Sequence, residues 1–206
     1  MSQRKPPRLG ILVSGRGSNM EAILDAHRLS RLGAEPVLVV SDNPKAPALA
    51  KAAQRGVVAA VVRRADFASA AEFERALVAR LKRAEVDLVA LAGFMRLLGH
   101  DFLSAFPGRV LNIHPSLLPS FPGLHAQRQA LAYGVRVSGC TVHLVDEEVD
   151  HGPIILQAAV PVLPDDTEES LSARILVEEH RLYPEAIRLM AEGRIEVEGR
   201  KVRILE

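Results

Sequence analysis

Cysteine is nearly missing from this sequence: Cys140 stands alone, which excludes an internal disulfide and a thiolate metal cluster. It falls in Val137-Ser-Gly-Cys-Thr-Val-His, a strand-like run where a small buried thiol is the ordinary occupant. Excess charge is lacking too. A formal net charge of +1 leaves no electrostatic footprint for nucleic acid, and Arg4, Lys5 and Arg8 read as a solvated N-terminal tail broken by Pro6 and Pro7. No apolar run reaches the roughly 18 residues a spanning helix needs, and no charged segment leads into an apolar core of signal-peptide type. The expectation is a cytoplasmic protein with neither a membrane nor a nucleic-acid partner. No His, Cys and Asp cluster has ligand spacing, so no metal is expected. Repeats, low-complexity tracts and Ser/Gly linkers are also missing, which argues for one compact unit.

What is present is ordinary globular material. The 206 residues, 48% hydrophobic and 25% charged, suffice for one domain with a substantial core. Apolar runs at residues 8–14, 35–41, 56–62 and 86–93 read as strands, and they alternate with helical patterns opening at Met20, at Pro47 and at residues 68–84. Continuous apolar strands alternating with helices imply a parallel sheet covered on both faces, a Rossmann-like doubly wound α/β fold. Residues 138–145 and 153–160 are two strands joined by a short acidic loop, so the sheet turns antiparallel there. A helix follows from Asp165 to about Met190, with a kink expected at Pro184. Residues 194–197 and 202–205 form a terminal hairpin. The expected division is a single domain over residues 1–206, with a phosphate-binding half at about 1–108 and a catalytic half at 109–206.

The stretch most suggestive of chemistry is Leu111-Asn-Ile-His-Pro-Ser-Leu-Leu-Pro-Ser-Phe-Pro-Gly. Side chains alternate along a strand, so Asn112 and His114 share a face. Pro115 biases His114 toward an extended backbone and supplies no amide hydrogen. A fixed imidazole is a proton shuttle near neutral pH, and a neighbouring amide can bond an oxygen gaining negative charge. On these residues alone, a strand end with a satisfied polar pair explains the pattern equally well.

Ser14-Gly-Arg-Gly-Ser-Asn is a glycine-rich turn between a strand and a helix, an arrangement that aims free backbone amides at a phosphate. A tight turn with Ser18 or Asn19 capping the helix is the simpler reading. Phe94, Met95 and Leu97 follow a strand at the same sheet edge, where they either line a flat ligand or belong to the core. Glu178, Glu179 and His180 read as a solvated helix face.

Taken together, Ser14-Gly-Arg-Gly-Ser-Asn, Leu91-Ala-Gly-Phe-Met-Arg, Asn112-Ile-His-Pro-Ser-Leu-Leu-Pro with Phe121-Pro-Gly-Leu-His, and Val149-Asp-His-Gly-Pro resemble the phosphoribosylglycinamide formyltransferase family. The resemblance runs in order over nearly the whole chain. It implies transfer of a formyl group from 10-formyltetrahydrofolate, a co-substrate, to the amine of glycinamide ribonucleotide in purine biosynthesis. It implies Asn112, His114 and Asp150 as catalytic residues, with Asp150 favouring the charged form of His114. Gly17, Ser18, Asn19 and Glu179 are then expected to hold the ribonucleotide. Met95, Arg96, Leu97 and Leu98, with Asn112 and the loop Asp146, Glu147, Glu148, Val149 and Asp150, are expected to enclose the folate. Two departures stand out: Ala70 where relatives often have an arginine for the folate tail, with Arg64 or Arg75 as substitutes, and His151 where glycine is common. Both partners are small molecules, with a homodimer left open. Two other functions remain alternatives: a formyltetrahydrofolate deformylase, and a non-catalytic folate- or nucleotide-binding module.

Overall fold

The computed structural model describes residues 5–206 and is built around β1 (Arg8–Val13), whose residues from Leu9 onward are all buried. Alternation divides this strand between two cores: Leu9, Ile11 and Val13 face one, and Leu12 faces the other. β1 pairs in parallel with β2 (Glu35–Ser41) on one side and with β4 (Leu88–Leu91) on the other. β3 (Val58–Val61) lies outside β2, and β5 (Val110–His114) pairs in parallel with β4. β6 (Val137–Leu144) and β7 (Ile154–Pro161) add antiparallel strands. The seven-stranded order β3-β2-β1-β4-β5-β6-β7 is the doubly wound arrangement with its switch point between β1 and β4.

The helices divide between the faces. α1 (Ser18–Arg28), α2 (Pro47–Gln54), α5 (Ala126–Tyr133) and α6 (Glu168–Ala191) accompany the first core, which Ile23, Ala48, Ala130 and Ile175 enter. α3 (Ala70–Arg83) and α4 (His100–Ala105) close the second through Phe73, Leu77, Leu81 and Phe102. The short helix α4 has no counterpart in the sequence expectations, because six residues are too few to show a helical period. β8 (Ile195–Glu198) and β9 (Lys201–Ile204) form the expected terminal hairpin. Among the described residues, no helix is long and apolar enough to cross a membrane.

Three local expectations need correction. Arg8 is not tail: its amide donates to Asp87 (2.9 Å) and its guanidinium to the Ala84 carbonyl (3.1 Å), so it anchors β1. Arg4 lies outside the described residues. α1 begins at Gly17 without a side-chain cap from Ser18 or Asn19. Gly17 has φ 76, and a Cβ there would stand 2.6 Å from the Ala48 side chain, so the turn needs glycine for both backbone and space. α6 is one continuous helix that includes Pro184, where the kink was expected, and it starts with Thr167 and Ser170 capping each other's amides, not with Asp165.

α6 is tied to the sheet by Tyr183. Fully buried, its hydroxyl lies 3.0 Å from the carbonyls of both Leu91 and Leu111, at β4 and β5. Tyr183→Phe should therefore cost about 1–2 kcal/mol, the usual result of unpairing a buried polar group, which in a chain of this size lowers Tm by roughly 2–8 °C in calorimetry.

Candidate active site

β5 carries Asn112 and His114 on the face toward the second core, while Leu111 and Ile113 face the first. β6 runs against it with Asn112 opposite His143 and His114 opposite Thr141. Opposed residues of an antiparallel pair project to the same side, so four polar side chains meet there. α6 packs on β5, β6 and β7 from the other side of the sheet. The polar side is closed by two loops, residues 115–125 and 145–153.

Those loops complete the cluster. Asp150 Oδ2 is 3.2 Å from His114 Nδ1 and accepts the Gly123 amide at 2.8 Å. His114 Nε2 lies 2.8 Å from the Phe121 carbonyl. Thr141 fastens the Pro-rich loop by donating to the Ser116 carbonyl (2.7 Å) and accepting the Leu118 amide (3.0 Å). His114 is buried and Asp150 nearly so.

Sequence reasoning missed His143, which it placed in a strand without a role. Its Nδ1 is 2.8 Å from the Leu144 carbonyl, so Nδ1 carries the hydrogen and Nε2 is the acceptor. Asn112 Nδ2 donates to that Nε2 at 3.2 Å and to Asp150 Oδ1 at 3.4 Å, which fixes the orientation of its amide. The signal was available only through the β5–β6 register, since 31 residues separate the two.

Asp150 favours the charged form of His114 as expected, but burial opposes it. Burial pushes its pKa below the ordinary imidazole value, outweighing the Phe121 carbonyl and the Asp150 carboxylate, which both raise it; nearby His143 lowers it further. His114 is thus neutral near pH 7 and open to receive a proton, and its two nitrogens already face oxygens that would satisfy the cation. Burial also works against the charge of Asp150, yet its pKa lies below the usual carboxylate value, supported by the Gly123 amide that donates to it.

At the adjoining end of β1, Asn19 Nδ2 donates to Glu179 Oε2 at 2.7 Å, joining α1 to α6. Glu179 is 7% exposed, so the solvated-face reading fails for it; burial raises its pKa against the pull of Asn19. The Asn19 Oδ1 is buried without a partner. Gly17 and Ser18 lie beside it in the uncapped first turn.

The segment after β4 splits between the two readings. Phe94 and Leu98 belong to the second core, whereas Met95 and Leu97 are 62% and 77% exposed. The Met95 amide donates to Ser14 Oγ (2.9 Å), and Arg96 pairs with buried Asp42 at 2.7 Å, a second residue the sequence did not single out. In the acidic loop, Glu147 meets His100 at 2.8 Å, the Glu148 amide donates to Asp146, and Val149 is exposed. Arg64 donates to the Phe67 carbonyl and Arg75 pairs with Asp101 at 3.5 Å, so both proposed substitutes at Ala70 are engaged.

An amide, an imidazole and a buried carboxylate held on one sheet face suit acyl-type transfer, and comparison with known proteins agrees. The family described as formyl transferase matches residues 7–187. Glycinamide ribonucleotide transformylase 1 from Symbiobacterium toebii superposes with a TM-score of 0.98 and 57% identity, covering 99% of this chain and 96% of that one. Phosphoribosylglycinamide formyltransferase of Escherichia coli K12 is 42% identical over 91% of this chain and 88% of its own length. The trifunctional purine biosynthetic protein adenosine-3 of Drosophila melanogaster is 50% identical over 94% of this chain, which spans 14% of that protein. With a matched stretch that holds β1 through most of α6, and with it the whole cluster around His114, the chain belongs to the formyl transferase family.

Proposed function

We propose that this protein transfers the formyl group of 10-formyltetrahydrofolate to the amine of glycinamide ribonucleotide, giving the N-formyl product and tetrahydrofolate. The observation that carries the reading is the buried contact of His114 with Asp150, flanked by Asn112. Binding alone requires none of these three in register.

In this mechanism the amine attacks the formyl carbon and the carbonyl oxygen gains negative charge. Asn112 meets that oxygen with the hydrogen it directs at Asp150, the longer of its two contacts. His143 holds the amide in place throughout. Neutral His114 takes the proton released by the attacking amine and returns it to N10 as the carbon–N10 bond breaks. Asp150 stabilises the imidazolium formed between those steps. The Phe121 carbonyl must exchange its place at His114 Nε2 for substrate.

Substrate gripping is assigned to the residues the family resemblance implies, and their surroundings support it. The uncapped start of α1, with Gly17, Ser18 and Asn19, offers amides to the phosphate, and Glu179 presents its carboxyl to the ribose or glycinamide. Exposed Met95, Leu97 and Val149 offer apolar surface to the pterin, while backbone groups of Arg96, Leu98 and the loop 146–150 are available to its polar edge. The folate tail lacks an arginine at Ala70.

The test is tetrahydrofolate release by the purified protein in the presence of both substrates. Strict dependence on the ribonucleotide supports transfer to an amine, whereas formate release without it would assign a deformylase. Calorimetric binding without turnover would leave a binding module. His114→Ala should lower kcat by about 10²–10⁴-fold, the usual contribution of a positioned proton-transfer group; retained activity would remove His114 from the chemistry.

The pH dependence has a definite sign. His114 must be neutral to accept the proton, so the rate falls in acid on a limb below the ordinary imidazole range. Asp150 is one of the influences raising that value, so Asp150→Asn should displace the limb to still lower pH while reducing the plateau rate. Profiles of kcat/KM for the two proteins, which report groups of the free enzyme, check the direction.

A further inference from the structure

The loop between β6 and β7 holds Asp150 in a backbone conformation that resists it. Asp150 has φ 51, the left-handed region that residues with a Cβ seldom occupy. Two residues on, a Cβ at Gly152 would collide with the Leu144 carbonyl oxygen, so the loop passes hard against the end of β6. A loop folded this way needs fastening, and the residue between the two is His151.

His151 is held from both sides. Its Nδ1 lies 2.8 Å from Asp146 Oδ2, which closes the loop on itself. On the other side stands Arg200, in the turn between β8 and β9. Arg200 Nη2 donates to the His151 carbonyl at 2.6 Å, and Nη1 lies 2.8 Å from Nε2 and 3.2 Å from Nδ1 of the ring. At those two distances Nη1 sits over the face of the imidazole, so the guanidinium covers the ring while its other nitrogen bonds the carbonyl. One guanidinium thus grips ring and backbone of a single residue in the two-pronged manner its planar fork allows. The hairpin that supplies it lies past residue 187, where the family match ends. It reaches back 49 residues to the neighbour of Asp150.

We propose that Arg200 is a positioning residue of the catalytic loop: through His151 the C-terminal hairpin latches residues 146–152 in the conformation that keeps Asp150 on His114. The inference rests on the role given to Asp150 above. Arg200 touches no reacting group and acts only by where it holds the loop. Because the same loop borders the folate surface, the latch bears on the formyl donor and leaves the ribonucleotide contacts at Asn19 and Glu179 alone.

Steady-state kinetics of Arg200→Ala and Arg200→Lys in the full chain test this, with Tm as the check on folding. Arg200→Ala should lower kcat/KM for the formyl donor by about three- to tenfold, the scale of a partly exposed charge-assisted hydrogen bond, with KM for the ribonucleotide unchanged. Arg200→Lys should recover part of the loss, since an ammonium can still reach the carbonyl. A second readout needs no turnover: NMR titration of the His114 ring, which faces Asp150, His143 and the Phe121 carbonyl. In Arg200→Ala the midpoint should move, because a loosened loop changes both the support Asp150 gives the imidazolium and the burial of the ring. Unchanged donor kinetics together with an unchanged His114 titration would overturn the latch, as would an equal rise in KM for both substrates. If the wild-type protein transfers no formyl group, the functional reading fails while the titration still decides whether Arg200 positions Asp150.

Discussion

The antiparallel pairing of β5 with β6 is the constraint on which the site depends. Had β6 continued the parallel series, a helix would have crossed to reach it and covered the face where Asn112 and His114 project. Antiparallel pairing instead sets His143 opposite Asn112 and Thr141 opposite His114. It also leaves that face to be closed by loops, which can carry a carboxylate and still admit a substrate. The Rossmann-like half places its glycine-rich turn at the end of β1, beside the switch point.

The electrostatics follow from that burial. A carboxylate beside an imidazole favours the cation, yet His114 is withdrawn from water far enough that burial prevails. Asp150 keeps its charge with the support of the Gly123 amide, against its own desolvation. An imidazole made less basic by burial, beside a carboxylate that keeps its charge, is the pair on which the proposed proton transfer rests. The same logic runs the other way at Glu179, where Asn19 is the one group offsetting burial.

Legibility in the sequence tracked how local each signal was. Periods of two and of about four residues are properties of neighbouring residues, so β1, β2 and α3 could be read to within a few positions. The six-residue α4 was invisible because its pattern is shorter than two turns. Glu179 was misread because Glu178 and His180 surround it with polar character, and only the packing of α6 on α1 shows which of the three turns inward. Arg8, taken for tail, is drawn into β1 by Asp87, a partner 79 residues away.

By itself the sequence determined the doubly wound class, the shared face of Asn112 and His114, the glycine turn and the family, since all of these rest on periodicity or on motifs contiguous in the chain. Tertiary structure decided the rest. It set Asp150 against His114, gave Asn112 its orientation through His143, bound Arg96 to Asp42 and brought Arg200 to His151. Each of those contacts joins residues more than 30 positions apart, and a through-space contact between distant residues exists only once the chain between them has folded.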